Sequence, residues 1–116
     1  IGGHSLGGAM AAELIGDEAE RFAGLFLLAS YPAESNDLTG LPLPVISISA
    51  EYDTVASGEE IEASRQRLPE DTLYAVIPGG NHAGFGDYGP QSGDGVATIT
   101  AERQWELTAK LIADWL

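Results

Sequence analysis

Three short runs, Leu25 to Ala29, Val45 to Ser49 and Leu73 to Ile77, alternate along the chain with segments of helical spacing. Runs such as Leu25-Phe26-Leu27-Leu28 are apolar on both faces, which a strand tolerates only when both faces are covered. That condition belongs to the central strands of a parallel sheet with helices packed above and below it. Between the second and third runs, Ser57 and Glu60 make a capping box, Ile61 and Leu68 fall on one side, and Pro69 stops the helix. A last helix is expected from near Thr100, with Trp105, Leu111, Ile112 and Trp115 marking its buried stripe. No repeat, low-complexity tract or internal linker interrupts the pattern, so the chain reads as a single βα unit.

Size and charge narrow the function classes. A length of 116 residues with 44% hydrophobic content suffices for one domain with a core. Eighteen acidic residues against five basic ones give a formal charge of −13, which argues against nucleic acids and other polyanions as partners, because phosphate contacts are made largely by Lys and Arg. The ordinary meaning of such a surface is good solvation; adaptation to salt and steering of cationic substrates are lesser readings. There is no cysteine, which removes disulfides and thiolate metal sites. No stretch approaches the roughly 20 apolar residues of a membrane span, and no signal peptide is visible.

Chemistry enters at Gly3-His4-Ser5-Leu6-Gly7, a G-x-S-x-G run. Such a run builds a nucleophile elbow, a sharp strand-to-helix turn that lifts a serine above the sheet. Ile1 lies in what should be the incoming strand. Leu6, Met10 and Leu14, with Ala9 and Ala12, have the spacing of the outgoing helix, and Gly16 sits where a left-handed C-cap is expected. A side chain at Gly3 or Gly7 is expected to clash, because the turn brings strand and helix backbones together.

Open parallel sheets bind ligands beyond the carboxyl ends of their strands, so the partners of Ser5 are sought there. Asp53 follows the second run in Ala50-Glu51-Tyr52-Asp53, and His82 follows the third in Pro78-Gly79-Gly80-Asn81-His82. The order Ser5, Asp53, His82 is nucleophile, acid, base. His82 would draw the proton from Ser5, Asp53 would hold the other ring nitrogen, and the backbone N–H of Leu6 would donate to the oxyanion. Glu51 and Asp87 compete with Asp53 as the acid, since turn carboxylates often cap backbone groups. His4, inside the elbow, is expected to point away from Ser5 and to take no direct part.

Two other patterns are set aside. Gly84-Phe85-Gly86-Asp87-Tyr88-Gly89 spells G-x-G-x-x-G, yet Pro90, Gly93 and Gly95 follow where a dinucleotide site needs a helix. It reads as a loop that positions His82 and shapes one rim of the pocket. Asp87 and Asp94 do not match an EF-hand, and only His4 and His82 offer nitrogen ligands for zinc. Neither a metal nor a cofactor is called for.

Gly2-Gly3-His4-Ser5-Leu6-Gly7-Gly8-Ala9-Met10, Ala29-Ser30-Tyr31-Pro32, Gly79-Gly80-Asn81-His82-Ala83 and Phe85-Gly86-Asp87-Tyr88-Gly89-Pro90 together resemble the alpha/beta hydrolase family 5 group, near the dienelactone hydrolases. The resemblance runs through essentially the whole chain. It implies an α/β-hydrolase fold, truncated, with a parallel sheet and flanking helices, in which residues 1–116 are the C-terminal part of a single domain that starts at the elbow. It also implies Ser5, Asp53 and His82 as the triad, Leu6 as an oxyanion donor, and a small-molecule ester as substrate. Relatives in that group often carry an N-terminal membrane anchor. Dienelactone hydrolases proper use a cysteine where this chain has Ser5. Only Ser30 to Pro44 separates the first two runs, room for a loop and not for a cap domain. With Ile1 and Gly2 too short for a central strand, Leu25 to Ala29 is expected to expose an unpaired edge. The alternative to a serine hydrolase is a non-catalytic remnant or interaction module on the same fold.

Overall fold

A computed structural model describes residues 1–116. In chain order the elements are β1 (Gly2–His4), α1 (Leu6–Asp17), β2 (Leu25–Leu28), β3 (Val45–Ala50), α2 (Gly58–Ser64), β4 (Leu73–Ile77) and α3 (Ala101–Trp115). The four strands form one parallel sheet in the order β1-β2-β3-β4. The chain is an α/β protein of the kind the apolar runs dictate. Residues 29–44 contain no helix or strand, so no cap domain sits over the sheet.

Strand β2 shows why both its faces are apolar. Leu25 and Leu27 are fully buried against Ala11, Ala12 and Ile15 of α1, with Val45, Leu38 and Leu68 completing that layer. Phe26 and Leu28 point the other way, into the layer of Ile46, Ile48 and Ile77 that Leu107, Leu111, Ile112 and Trp115 of α3 cover. Successive side chains alternate across the sheet, so each face needs its own helix. Burying a leucine in either layer contributes about 1.5–3 kcal/mol.

Several expectations change. Leu25–Leu28 is paired on both sides: β1 lies parallel to it with Gly2 opposite Phe26 and His4 opposite Leu28, and the Phe26 N–H donates to the Ile1 carbonyl at 3.0 Å. The expected unpaired edge is therefore occupied by β1. On α1 the buried face is Gly8, Ala11, Ala12 and Ile15, whereas Leu6, Met10 and Leu14 are 72%, 57% and 40% exposed. The i, i+4, i+8 stripe faces outward, because a helix pressed onto the sheet at a tight turn admits only small residues, Gly8, Ala11 and Ala12, on its inner side near the elbow, and the large Ile15 fits only in the last turns. Gly16 is no C-cap; α1 runs through it to Asp17, and a Cβ there would meet Leu38 at 3.2 Å. On α3 the buried residues are Gln104 and Thr108, while Trp105 is 36% exposed and only donates through Nε1 to the Gly86 carbonyl at 3.3 Å. The Ser57 cap is present, with its Oγ accepting from the Glu60 N–H at 3.3 Å, and a 3₁₀ turn over Arg65–Arg67 carries the chain to Leu68 before Pro69. No helix is long and apolar enough to cross a membrane.

Candidate active site

The elbow joins β1 to α1 at Ser5, whose φ of 56° and ψ of −124° place an L-residue where few side chains are tolerated. Such a conformation persists only when its surroundings hold it. The Ser5 N–H donates to the Leu28 carbonyl at 3.0 Å, and the Ser5 carbonyl accepts from the Gly8 N–H at 3.0 Å, the Ala9 N–H at 3.2 Å and the Ser30 hydroxyl at 2.5 Å. A Cβ on Gly3 would lie 2.5 Å from the Gly7 carbonyl carbon, and one on Gly8 would lie 2.7 Å from the Gly3 oxygen. At Gly7 nothing lies within 4 Å. The glycines that let strand and helix meet are thus Gly3 and Gly8, not Gly3 and Gly7, because Gly7 is on the outer side of the first helical turn.

His82 and Asp53 reach Ser5 from the ends of β4 and β3. His82 Nε2 stands 3.1 Å from Ser5 Oγ, and His82 Nδ1 stands 2.8 Å from Asp53 Oδ2. Both side chains of the His82–Asp53 pair are 1% exposed. Asp53 Oδ1 accepts from the N–H groups of Val55 and Ala56, each at 2.8 Å, which leaves Oδ2 for the imidazole. A carboxylate at Nδ1 assigns the ring proton to that nitrogen, so Nε2 is left as an acceptor facing the serine hydroxyl.

The rival carboxylates are elsewhere. Glu51 Oε1 accepts from the Gly79 N–H at 2.8 Å, and neither Glu51 nor Asp87 hydrogen-bonds His82. Leu6 opens α1, so its N–H belongs to the turn whose donors find no intrahelical acceptor. A cleft of about 280 Å³ lies over these groups, walled by Ser5, Leu6, Ala9, Val55, Tyr31 and His82 among others.

A family model described as the alpha/beta hydrolase family matches residues 1–106. The chain belongs to the alpha/beta hydrolase family. Among curated proteins no match is found. In alpha/beta hydrolases the elbow serine, an acid and a histidine occur in that chain order. Here Ser5, Asp53 and His82 follow β1, β3 and β4 in turn.

Three residues of this hydrolase-family chain were not legible as parts of the site. Ser30, 4% exposed, ties the loop after β2 to the elbow carbonyl. Asp94 accepts backbone N–H groups of His82 and Ala83, and Gln104 on α3 holds both polar groups of the Asn81 main chain. The only sequence signal was Asp94 between two glycines, a turn-former whose partners lie eleven and twelve residues back. His4 makes no hydrogen bond to Ser5, but it packs against the base. Its ring packs 4.6 Å from that of His82 and touches the rings of Phe85 and Tyr88, with Nε2 buried and unpartnered. Burial, and then the proximity of His82, hold its pKa below the usual histidine value of 6.5.

Proposed function

We propose that this chain carries the active site of a serine hydrolase that cleaves carboxylic esters through an acyl-enzyme. The observation that supports it is the unbroken relay from Ser5 Oγ to His82 at 3.1 Å and from His82 to Asp53 at 2.8 Å. A serine hydroxyl is a weak nucleophile until a base within hydrogen-bond reach takes its proton. As Ser5 Oγ bonds to the ester carbonyl carbon, His82 Nε2 receives that proton, and Asp53 stabilises the imidazolium and keeps its tautomer. The carbonyl oxygen becomes an oxyanion beside the Leu6 N–H, at the positive end of α1. Collapse breaks the bond to the alcohol, which leaves with the proton from His82. Water then repeats the sequence on the acyl-serine, releasing the acid and restoring Ser5. The cleft, about 280 Å³ with mostly apolar walls and no cap above it, suits small or extended acyl groups.

A fluorophosphonate tests the proposal, because it reacts with a serine only where a base activates it. One adduct on Ser5, lost in Ser5→Ala and His82→Ala, together with turnover of a short-chain p-nitrophenyl ester, is the expected result. A folded protein that forms no adduct and turns over no ester would be a non-catalytic module on a hydrolase fold.

A further inference from the structure

The His82 ring has two hydrogen-bonding partners, and the loop that delivers it, from Pro78 to Thr100, is almost without regular structure. Something must fix the His82 main chain, since a ring held only through its own tip would swing with its loop. Asp94 stands in that place. One carboxylate oxygen accepts the His82 N–H at 3.1 Å and the Gly95 N–H at 2.9 Å, and the other accepts the Ala83 N–H at 2.8 Å. On the opposite side Gln104, 1% exposed, accepts the Asn81 N–H at 3.2 Å and donates to the Asn81 carbonyl at 2.8 Å. A Cβ at Gly84 would sit 2.0 Å from Gln104 Oε1, so the loop sequence is fitted to that side chain. Of the two holds, only Asp94 bonds the His82 residue itself, and carboxylate-to-N–H bonds are about twice as strong as neutral ones.

We infer that Asp94 is a positioning residue for the base: its carboxylate grips the His82 backbone and sets the imidazole between Ser5 and Asp53. It does not touch the reacting atoms. The inference rests on the serine-hydrolase reading for its catalytic consequence, and on geometry alone for the placement of His82. A misplacement of about 1 Å costs on the order of 10²-fold in rate. Asp94→Asn keeps one acceptor oxygen and turns an NH₂ group toward a backbone N–H, so it should loosen the grip without emptying the site.

The control is Thr54→Val, which removes the bond from Thr54 Oγ1, in the turn after β3, to the Gly93 carbonyl at 2.5 Å, in the His82 loop and one residue from the clamp. Three readouts are compared on the full chain: the rate of fluorophosphonate adduct formation on Ser5, the far-downfield proton signal of the His82–Asp53 hydrogen bond, and the thermal midpoint. Asp94→Asn is expected to slow the adduct by about 10- to 100-fold and to weaken the downfield signal, while Thr54→Val leaves both near wild type at a comparable loss of midpoint. Equal losses in the two variants, or a wild-type rate and signal in Asp94→Asn, overturn the inference. If Asp94→Asn does not fold, Asp94→Glu replaces it: slower adduct formation at an unchanged midpoint supports the role, and an unchanged rate overturns it. Should the wild type form no adduct, the hydrolase reading fails, and the downfield signal still decides the placement of His82 by the same comparison.

Discussion

The hydroxyl of Ser30 donates to the carbonyl of Ser5 at 2.5 Å, so the loop leaving β2 braces the strained elbow through its main chain. Because that carbonyl also accepts from Gly8 and Ala9, Ser30→Ala removes one of three bonds and should cost about 0.5–1.5 kcal/mol in urea unfolding. Gly8→Ala should cost more, about 1–3 kcal/mol, since its Cβ would stand 2.4 Å from Ser30 Oγ and 2.7 Å from the Gly3 oxygen. Gly7→Ala has open space and an ordinary helical position, so it should be neutral or stabilising by up to about 1 kcal/mol. The reverse order for Gly7 and Gly8 would mean that the packing at the elbow is misread.

Asp53→Asn should leave the fold intact and lower kcat by up to about 10⁴, by analogy with other triad aspartates. An asparagine can keep an oxygen for the Val55 and Ala56 N–H groups, but then offers NH₂ to Nδ1 and selects the wrong histidine tautomer. Glu51→Gln retains an oxygen for the Gly79 N–H and should change kcat little. If the Glu51 variant loses more activity than the Asp53 variant, the acid has been assigned to the wrong strand end.

The sheet, the elbow and the three strand-end candidates were legible because each is a local pattern: apolar runs, a G-x-S-x-G turn, and polar residues just past strands. Which face a helix turns inward was not. Leu6, Met10 and Leu14 form a good stripe by hydrophobicity, yet Gly8, Ala11 and Ala12 face the sheet, because the elbow sets the distance between α1 and β2 before side chains are chosen. Likewise Gln104 is buried on α3 while Trp105 stays 36% exposed, since the Asn81 main chain needs hydrogen bonds that an indole could not supply. Asp94 and Ser30 were hidden for a related reason. Each acts on a backbone group brought near by the fold, 12 residues away for Asp94 and 25 for Ser30, and no spacing rule reports such a partner.

His4 gives the protein an acid-sensitive point. Its folded pKa lies below the unfolded 6.5, first through burial and then through the charge of His82, with the His82 backbone, Asp53 and Asp94 acting in the opposite sense. The unfolded chain therefore binds the extra proton first, and unfolding becomes easier as pH falls from 6.5 toward the lowered folded value. His4→Phe, which keeps the ring contacts with His82, Phe85 and Tyr88 and cannot be protonated, should flatten that part of the curve of thermal midpoint against pH. A slope in this window unchanged by the substitution would place its origin in another group.

The cleft should prefer neutral esters to those with a carboxylate on the acyl chain. Leu6, Ala9, Ala29, Val55 and Ala56 give it apolar walls, and its phenolic side, Tyr31, donates its hydroxyl to Glu60. That bond holds the Glu60 carboxyl below its usual range and, with burial, pushes Tyr31 up to about 12, so at neutral pH the rim carries a carboxylate and an un-ionised phenol. Arg67, whose charge acts on Tyr31, is turned onto the Pro32 carbonyl, and no guanidinium lines the cleft. An acyl carboxylate would thus be stripped of water against apolar side chains beside a fixed negative charge. Leaving a polar group unpaired costs about 1–3 kcal/mol, so kcat/KM for the anionic ester should fall roughly 10- to 100-fold below that of its neutral isostere. Glu60→Gln removes the charge and not the apolar walls, so it should narrow that gap while the neutral ester is turned over as before. A wild-type preference for the anionic ester would show that a cation reaches the substrate from a part of the surface these side chains do not define.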